Sequence, residues 1–260
     1  MIRLSKRLEL IANQVPQGSR LADIGSDHAL LPSYLASQGV IGSGVAGEVN
    51  SGPYEAASRQ VRSAGLKERI AVRLGDGLAV IEPGEVDVIT IAGMGGALIV
   101  SILEAGKAKL RGVSRLVLQP NVGEDAVRGW LADNGWLLIG EQILEEDGKI
   151  YEILTAEKAS EGTEEAGRAD SLYEPRTLAG GLTVSKELLI RMGPYLIDEA
   201  SSVWKAKWRL ELDKLEHICS QVARSDTDAA RVKERELRAE MRRIEEVLEA
   251  CTPKDKPSFN

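Results

Sequence analysis

The sequence predicts an α/β protein: a parallel sheet closed by an antiparallel hairpin, followed by a helical, coiled-coil-like domain. Three observations predict it. Short β-type runs alternate with helical segments as far as Asn134, an Asp147-Gly148 pair separates two further strand-like runs, and beyond Leu188 apolar residues recur every three or four positions.

The elements follow in order. Leu4, Leu8, Ile11 and Val15 lie along one stripe of a first helix, which Pro16 and Gly18 stop. Strand and helix then alternate: Arg20–Ile24 and Ala29–Ser37, Gly44–Val49 and Gly52–Ala64, Ile70–Leu74, Val86–Ile91 and Ala97–Ala105, Arg115–Leu118 and Glu124–Asn134. Such alternation means βα units with right-handed crossovers. Trp136–Glu145 and Ile150–Thr155 form the closing hairpin. Residues 156–170 carry no bulky apolar side chain and read as an exposed linker. Further on, Trp204, Trp208, Leu212, Leu215, Ile218 and Val222 make a coiled-coil-like seam, and after the capping run Ser225–Asp228 the spacing resumes at Leu237, Met241, Ile244 and Leu248. An unbroken helix from Leu188 to Val222 would be about 50 Å long, but Gly193-Pro194 is expected to break it. The domains are therefore 1–157, a linker 158–187, a helical hairpin 188–250 and a tail 251–260.

With 260 residues, 43% apolar and 28% charged, the chain can bury a sizeable core, which excludes disorder throughout. Lys+Arg 33 against Asp+Glu 40 gives a net charge of −7 and excludes a uniformly basic coat. The two cysteines, Cys219 and Cys251, have no partner at zinc-ligand spacing, so neither a disulfide framework nor a metal site is expected. No apolar run approaches the roughly 20 residues of a membrane span. A protein of the reducing cytoplasm, with no membrane or metal partner, is the expectation.

Chemistry concentrates where strands end. Leu21-Ala22-Asp23-Ile24-Gly25-Ser26-Asp27-His28 is a strand, a glycine turn and a helix start. A dinucleotide would want Gly-x-Gly-x-x-Gly here, but Asp23 and Asp27 would repel its pyrophosphate. They suit a ligand bearing a sulfonium and an ammonium, S-adenosylmethionine. Glu48 ends the second strand, where an acid accepts from ribose hydroxyls, and Asp76 in Gly75-Asp76-Gly77 ends the third, where a carboxylate accepts from an adenine amine. Gly42-Ser43-Gly44-Val45-Ala46-Gly47 matches the dinucleotide string but opens no helix, so the match fails. After the fourth and fifth strands come Ala92-Gly93-Met94-Gly95-Gly96 and Gln119-Pro120-Asn121, where glycines admit a planar substrate and the amides read a base edge. For Gly96, turn chemistry is the better account. His28 is a candidate base or a plain structural donor, and His217 reads as a partly exposed helix residue.

Basic residues gather twice. Residues 201–243 hold eleven cations against eight acids, and Arg3, Lys6 and Arg7 are offset by Glu9 alone. A solvated face with i,i+4 pairs explains such clusters, as does phosphate contact.

Taken together, Leu4-Ser5-Lys6-Arg7-Leu8, Ala22-Asp23-Ile24-Gly25-Ser26-Asp27-His28-Ala29, Gly47-Glu48-Val49-Asn50, Gly75-Asp76-Gly77-Leu78, Ile91-Ala92-Gly93-Met94-Gly95-Gly96 and Leu118-Gln119-Pro120-Asn121 resemble the bacterial tRNA adenine-22 N1-methyltransferases, the TrmK family. Tyr151-Glu152-Ile153-Leu154, Gly193-Pro194-Tyr195-Leu196 and Lys207-Trp208 extend the resemblance, which runs from residue 4 to about 210. It implies a class I, Rossmann-like methyltransferase domain with S-adenosylmethionine as donor and tRNA as acceptor. On that reading Asp23, Gly25, Asp27, Glu48, Val49, Asn50, Asp76, Gly77, Ala92, Gly93, Met94 and Gln119 hold the donor. Asp27, His28 and Asn121, with Gln119 as a further choice, are the candidates for stabilising charge on the base, and the residues leave that choice open. Arg3, Lys6, Arg7, Lys205, Lys207 and Arg209 would grip tRNA. A monomer is expected, with a dimer open. A methyltransferase of small molecules or proteins that dimerises through the helices is the alternative, and a nucleotide-binding module without turnover is a third.

Overall fold

The computed structural model describes residues 2–159, 171–178 and 181–251. The chain forms two compact units, Met1–Ser171 and Leu172–Asn260. The first opens with helix α1, Lys6–Ala12. It continues with strands β1 Ser19–Ile24, β2 Ile41–Glu48, β3 Ile70–Leu74, β4 Val88–Met94, β5 Arg115–Pro120, β6 Trp136–Glu146 and β7 Lys149–Lys158, connected through helices α2 Leu30–Ser37, α3 Ser51–Ser63, α4 Gly96–Ala105 and α5 Glu124–Asp133. The sheet order is β3-β2-β1-β4-β5-β7-β6. Strands β1 to β5 pair in parallel, while β7 runs antiparallel to both β5 and β6. This is the predicted sheet, and its Rossmann-like order reverses between β1 and β4, where such folds bind ligands.

Central strands are covered on both sides and read as near-continuous apolar runs; Leu21, Val88, Val117 and Ile153 are buried in one cluster with Leu31, Leu35 and Ile41. Helix α1 joins that cluster through Leu4, Ile11, Ala12 and Val15, with Leu8 half-buried against it. The helix is shorter than its stripe, because Ser5 caps it and it ends at Ala12, leaving Leu4 and Val15 as flanking anchors. The Asp147-Gly148 turn has φ values of 51° and 71°, the left-handed pair that a two-residue hairpin turn demands. The Gly42–Gly47 string lies wholly inside β2, so it cradles nothing.

Strand β7 continues through Ala156 to Lys158, so the sequence-based linker begins too early. Backbone pairing with β5 (Leu116 with Ala156, Arg115 with Glu157) carries the strand on without bulky side chains. Residues 160–170, 179–180 and 252–260, which include part of the expected linker and most of the expected tail, lie outside the described residues.

The second unit holds a short antiparallel pair, β8 Arg176–Thr177 and β9 Thr183–Val184, then helices α6 Lys186–Met192, α7 Pro194–Glu199, α8 Ser202–Val222 and α9 Asp228–Ala250. Gly193 (φ 88°) and Pro194 break the helical run as expected, and Ala200 in a left-handed conformation breaks it again, which no local signal announced. Ser185, Ser201 and Thr227 cap α6, α8 and α9. Helix α8, at 21 residues, is thus about 30 Å long. Its buried stripe is Trp204, Trp208, Leu215 and Cys219; Ile218, expected in the seam, is 44% exposed. On α9, Leu237, Ile244 and Val247 are buried, while Met241 and Leu248 are half-buried. Both cysteines are free and buried.

Candidate active site

The carboxyl ends of β1 and β4 meet at the reversal of strand order. Asp23 of β1 stands opposite Thr90 of β4 and is 4% exposed. Its two oxygens accept from the hydroxyls of Thr90 (2.6 Å) and Ser26 (2.5 Å). Burial pushes its pKa above the ordinary aspartate value; the two hydroxyls and the charge of Arg7 offset this in part. Asp23 therefore braces the turn that follows. In that turn Gly25 has φ +68°, a conformation that favours glycine, and the Met94 methyl lies against its α-carbon, where a Cβ would come 2.2 Å from Cε.

The next three residues, Asp27, His28 and Ala29, all have left-handed φ values of 39°, 66° and 51°. Such a run of non-glycine residues is strained. It is held by Glu48, whose Oε1 accepts the N–H of Asp27 at 2.6 Å. Helix α2 consequently starts at Leu30, one residue later than the sequence suggested. The side chains of Asp27 and His28 point into solvent, 84% and 57% exposed, with Oδ1 and Nε2 3.4 Å apart.

Glu48 is buried at the end of β2. Burial pushes its pKa up, Asp23 and Asp27 push it further, and the N–H of Asp27 and the charge of His28 pull it back. Val49, 60% exposed, and Asn50, whose side chain caps nothing, follow on the surface. Asp76 is exposed after β3 and opens, with Gly77, onto a cavity of about 290 Å³ lined also by Leu78, Leu98, Ser101 and Ile102. Among the described residues no ion-pair partner is found for Asp23 or Glu48, and no cluster able to hold a metal occurs.

A second half of the crevice is built from amides. Strand β4 bulges between Ala92 and Met94, with Gly93 at φ +78°, which turns the Gly93 backbone toward β5. Gln119, fully buried, accepts at Oε1 from the N–H of Gly93 (3.2 Å) and from Nη1 of Arg7. Its Nε2 donates to the Pro120 carbonyl (2.8 Å) and to Oδ1 of Asn121 (3.1 Å). Asn121 in turn donates from Nδ2 to the Gly93 carbonyl (2.8 Å). Gly96 starts α4 where a Cβ would lie 2.0 Å from the Gly123 carbonyl oxygen, so it is there for packing.

The expected residues thus fall into two constellations, Asp23/Gly25/Asp27/His28/Glu48 and Ala92/Gly93/Met94/Gln119/Asn121, meeting at Gly25 and Met94. Arg7 departs from expectation. It is half-buried on Gln119 and 5.4 Å from the centroid of Tyr151, placed there because the N–H groups of Lys6 and Arg7 donate to Glu146 (2.7 and 3.3 Å). Arg3 and Lys6 are exposed. On α8, Arg209 is exposed, Lys207 lies 5.9 Å from the Trp208 ring, and Lys205 donates its ammonium to the Cys251 carbonyl at 2.8 Å, so that amine already serves a helix end. Ser26 and Thr90 were missed by sequence reasoning. Thr90 carried a signal, as a hydroxyl in the apolar run Val88-Ile89-Thr90-Ile91.

Two buried acids without an ion-pair partner, a glycine turn with no side chain of its own and exposed Val49 and Leu98 fit a ligand that brings positive charge, hydroxyl donors and a flat ring. The S-adenosylmethionine expectation passes that test. Comparison with known proteins agrees. A Bacillus subtilis (strain 168) protein named tRNA (adenine(22)-N(1))-methyltransferase is 45% identical over 249 residues, 95% of this chain and 98% of that one. The crystal structure of the B. subtilis M1A22 tRNA methyltransferase TrmK matches with a TM-score of 0.85 at 44% identity, covering 95% of this chain and 100% of that chain. Streptococcus pneumoniae Sp1610, described as a putative tRNA (m1A22) methyltransferase in complex with S-adenosyl-L-methionine, matches with a TM-score of 0.78 at 43% identity over the same shares. The family model for tRNA (adenine(22)-N(1))-methyltransferase covers residues 21–246, and this chain belongs to that family, TrmK.

Proposed function

We propose that this protein transfers the methyl group of S-adenosylmethionine to N1 of adenine 22 in tRNA. The observation that carries the reading is the pair of buried acids without an ion pair, Asp23 and Glu48, at the reversal of strand order in a chain 45% identical to a named enzyme of this activity. The relatives' names favour tRNA over the small-molecule or protein acceptor that the sequence left open.

When bound, S-adenosylmethionine supplies an electrophilic methyl carbon on a sulfonium. In our reading Glu48, with one oxygen on the Asp27 N–H, offers its remaining lone pairs to ribose hydroxyls; Asp76 takes the adenine amine, and Val49 and Leu98 flank the ring. Asp23 acts mainly through the Gly25-Ser26 turn. Neutral adenine N1 has an in-plane lone pair, so the N1–CH3 bond forms as the S–CH3 bond breaks and no proton leaves first. Positive charge passes to the base. The residues position the two partners and stabilise that charge, for which proximity and oriented acceptors suffice. N1 lies on the pairing edge, so the base must leave its stack. Asp27 and His28, exposed at the mouth, and Asn121 are the groups we place near it.

We assign donor binding to the first unit and tRNA grip to the helical part 188–250, with α8 and α9 as a coiled-coil-like hairpin ahead of the tail 251–260. Arg3, Lys6, Lys207 and Arg209 are the phosphate ligands of this proposal, and a monomer in the cytoplasm is its simplest setting. No described helix is long and apolar enough to cross a membrane. Labelled donor is expected to mark a tRNA transcript with adenine at position 22 and to leave one with guanine there unmarked, with 1-methyladenosine found by mass spectrometry; equal labelling of both would sink the assignment. Arg209→Ala should lower the slope of log affinity against log salt by about one.

A further inference from the structure

We propose that Arg7 is a positioning residue for the methyl acceptor: through Gln119 it turns the Asn121 carboxamide so that its oxygen, and not its nitrogen, meets the 6-amino group of the target adenine. This rests on the function proposed above and adds to it a role for the N-terminal helix. A guanidinium only donates. With Nη1 of Arg7 and the N–H of Gly93 both directed at one end of the Gln119 amide, that end must be the oxygen. Its Nε2 then faces Pro120 and Asn121, where it requires an acceptor and finds Oδ1 of Asn121 at 3.1 Å. The Asn121 amide is fixed in its turn, with Nδ2 on the Gly93 carbonyl at 2.8 Å. The Arg7 cation thus acts with three backbone groups, the Gly93 N–H and the Pro120 and Gly93 carbonyls, to set two amides head to tail, and it supplies the only charged contact of the four.

The relay runs from a half-buried side chain through a fully buried one to an exposed one. Asn121 therefore presents an oxygen with one lone pair used and one to spare, while one N–H of its nitrogen is held on the Gly93 carbonyl and fixes which end is which. Adenine offers one polar group beside N1, an amine that donates; guanine offers a carbonyl that would face this oxygen unpaired. As N1 gains a methyl group, charge spreads to the amine and its hydrogen bond to Asn121 strengthens, so the contact favours the transition state over bound substrate. Arg7 is aligned for this by the Glu146 carboxylate on the first turn of α1 and by the face of Tyr151.

The test compares tRNA transcripts with adenosine or purine riboside at position 22, the latter keeping N1 and lacking the amine. Wild type should prefer adenosine by roughly ten- to a hundredfold in kcat/KM. Arg7→Met should lower kcat on adenosine by about tenfold, leave the tRNA KM within about twofold and shrink the preference; Arg7→Lys should lie between. Wild-type kcat and preference in Arg7→Met would overturn the inference, as would a loss confined to KM with a flatter salt dependence, the mark of a phosphate contact. Binding of S-adenosylhomocysteine is measured on each variant. If wild type binds none or leaves adenosine 22 unmethylated, the function itself has failed; if binding persists and preference ignores residue 7, the relay alone has. Should Arg7→Met lose binding through misfolding, Arg7→Lys decides by the same readouts.

Discussion

The sheet of the first unit buries acids in two places, under the hairpin β6–β7 at one edge and at the interior strands β1 and β2, and the two groups are treated in opposite ways. Under the antiparallel hairpin, Arg128 of α5 lies between Glu141 and Glu152, all three side chains fully buried, with contacts of 2.5 Å to each carboxylate. Burial alone would lower the Arg128 pKa, but the two acids outweigh it and the guanidinium stays charged. At the reversal of strand order, Asp23 and Glu48 are buried with hydroxyls and one backbone N–H but no ion pair, and burial pushes both pKa values up. A cluster that closes its own charge is structural, whereas one without an ion pair keeps acceptor capacity for a ligand that brings donors.

Removing one member of each group separates these roles. Arg128→Met leaves two buried carboxylates facing each other and should cost about 3–5 kcal/mol, seen as a fall in Tm on the order of 10 °C, with donor affinity unchanged in the folded fraction. A neutral effect on Tm would mean that the cluster is not closed. Glu48→Gln should do the reverse. Its amide keeps the shape but loses the charge-assisted contacts to ribose, so S-adenosylhomocysteine affinity by calorimetry should fall roughly ten- to a hundredfold while Tm of the unliganded protein holds or rises. Wild-type affinity would remove Glu48 from the donor site.

The contrast also explains what the sequence made legible. Acids at the ends of successive strands are visible because strand ends are visible: Asp23, Glu48 and Asp76 follow runs that alternate with helices, and the hairpin was marked by Asp147-Gly148. The Arg128 cluster was not visible, because a charged residue beside Val127 on a helix reads as solvent-facing until β6 and β7 are seen to cover it. Arg7 was read as a phosphate ligand for the same reason; only the fold brings Glu146 and Tyr151, some 140 residues away in sequence, to aim it inward. The left-handed run Asp27–Ala29 carries no glycine to announce it, and the seam of α8 passes through Cys219, four residues after Leu215, while the apolar spacing pointed to Ile218, three residues after it.

The smallest expected effect is the most specific. A carboxyl group whose pKa is raised on folding favours the folded state below its unfolded value and loses that contribution as pH rises through the folded value. Asp23 and Glu48 are of this kind. Glu85 and Asp87 are the opposite: hydrogen bonds from Arg73 and Arg20 hold them low, so their contribution is present above the unfolded value and lost as pH falls. Acidification should therefore weaken the surface pairs while relieving the crevice, giving the unliganded protein a shallow loss of Tm. Donor binding has one sign, because it requires ionised Glu48. The rise in Tm produced by saturating S-adenosylhomocysteine should shrink as pH drops, beginning above the ordinary glutamate value of 4.5 from which Glu48 is displaced, and Glu48→Gln should leave a smaller, flatter shift over the same range. If the wild-type shift stays constant down to that value, burial has not primed Glu48, and the division between closed and open charge clusters loses its functional half.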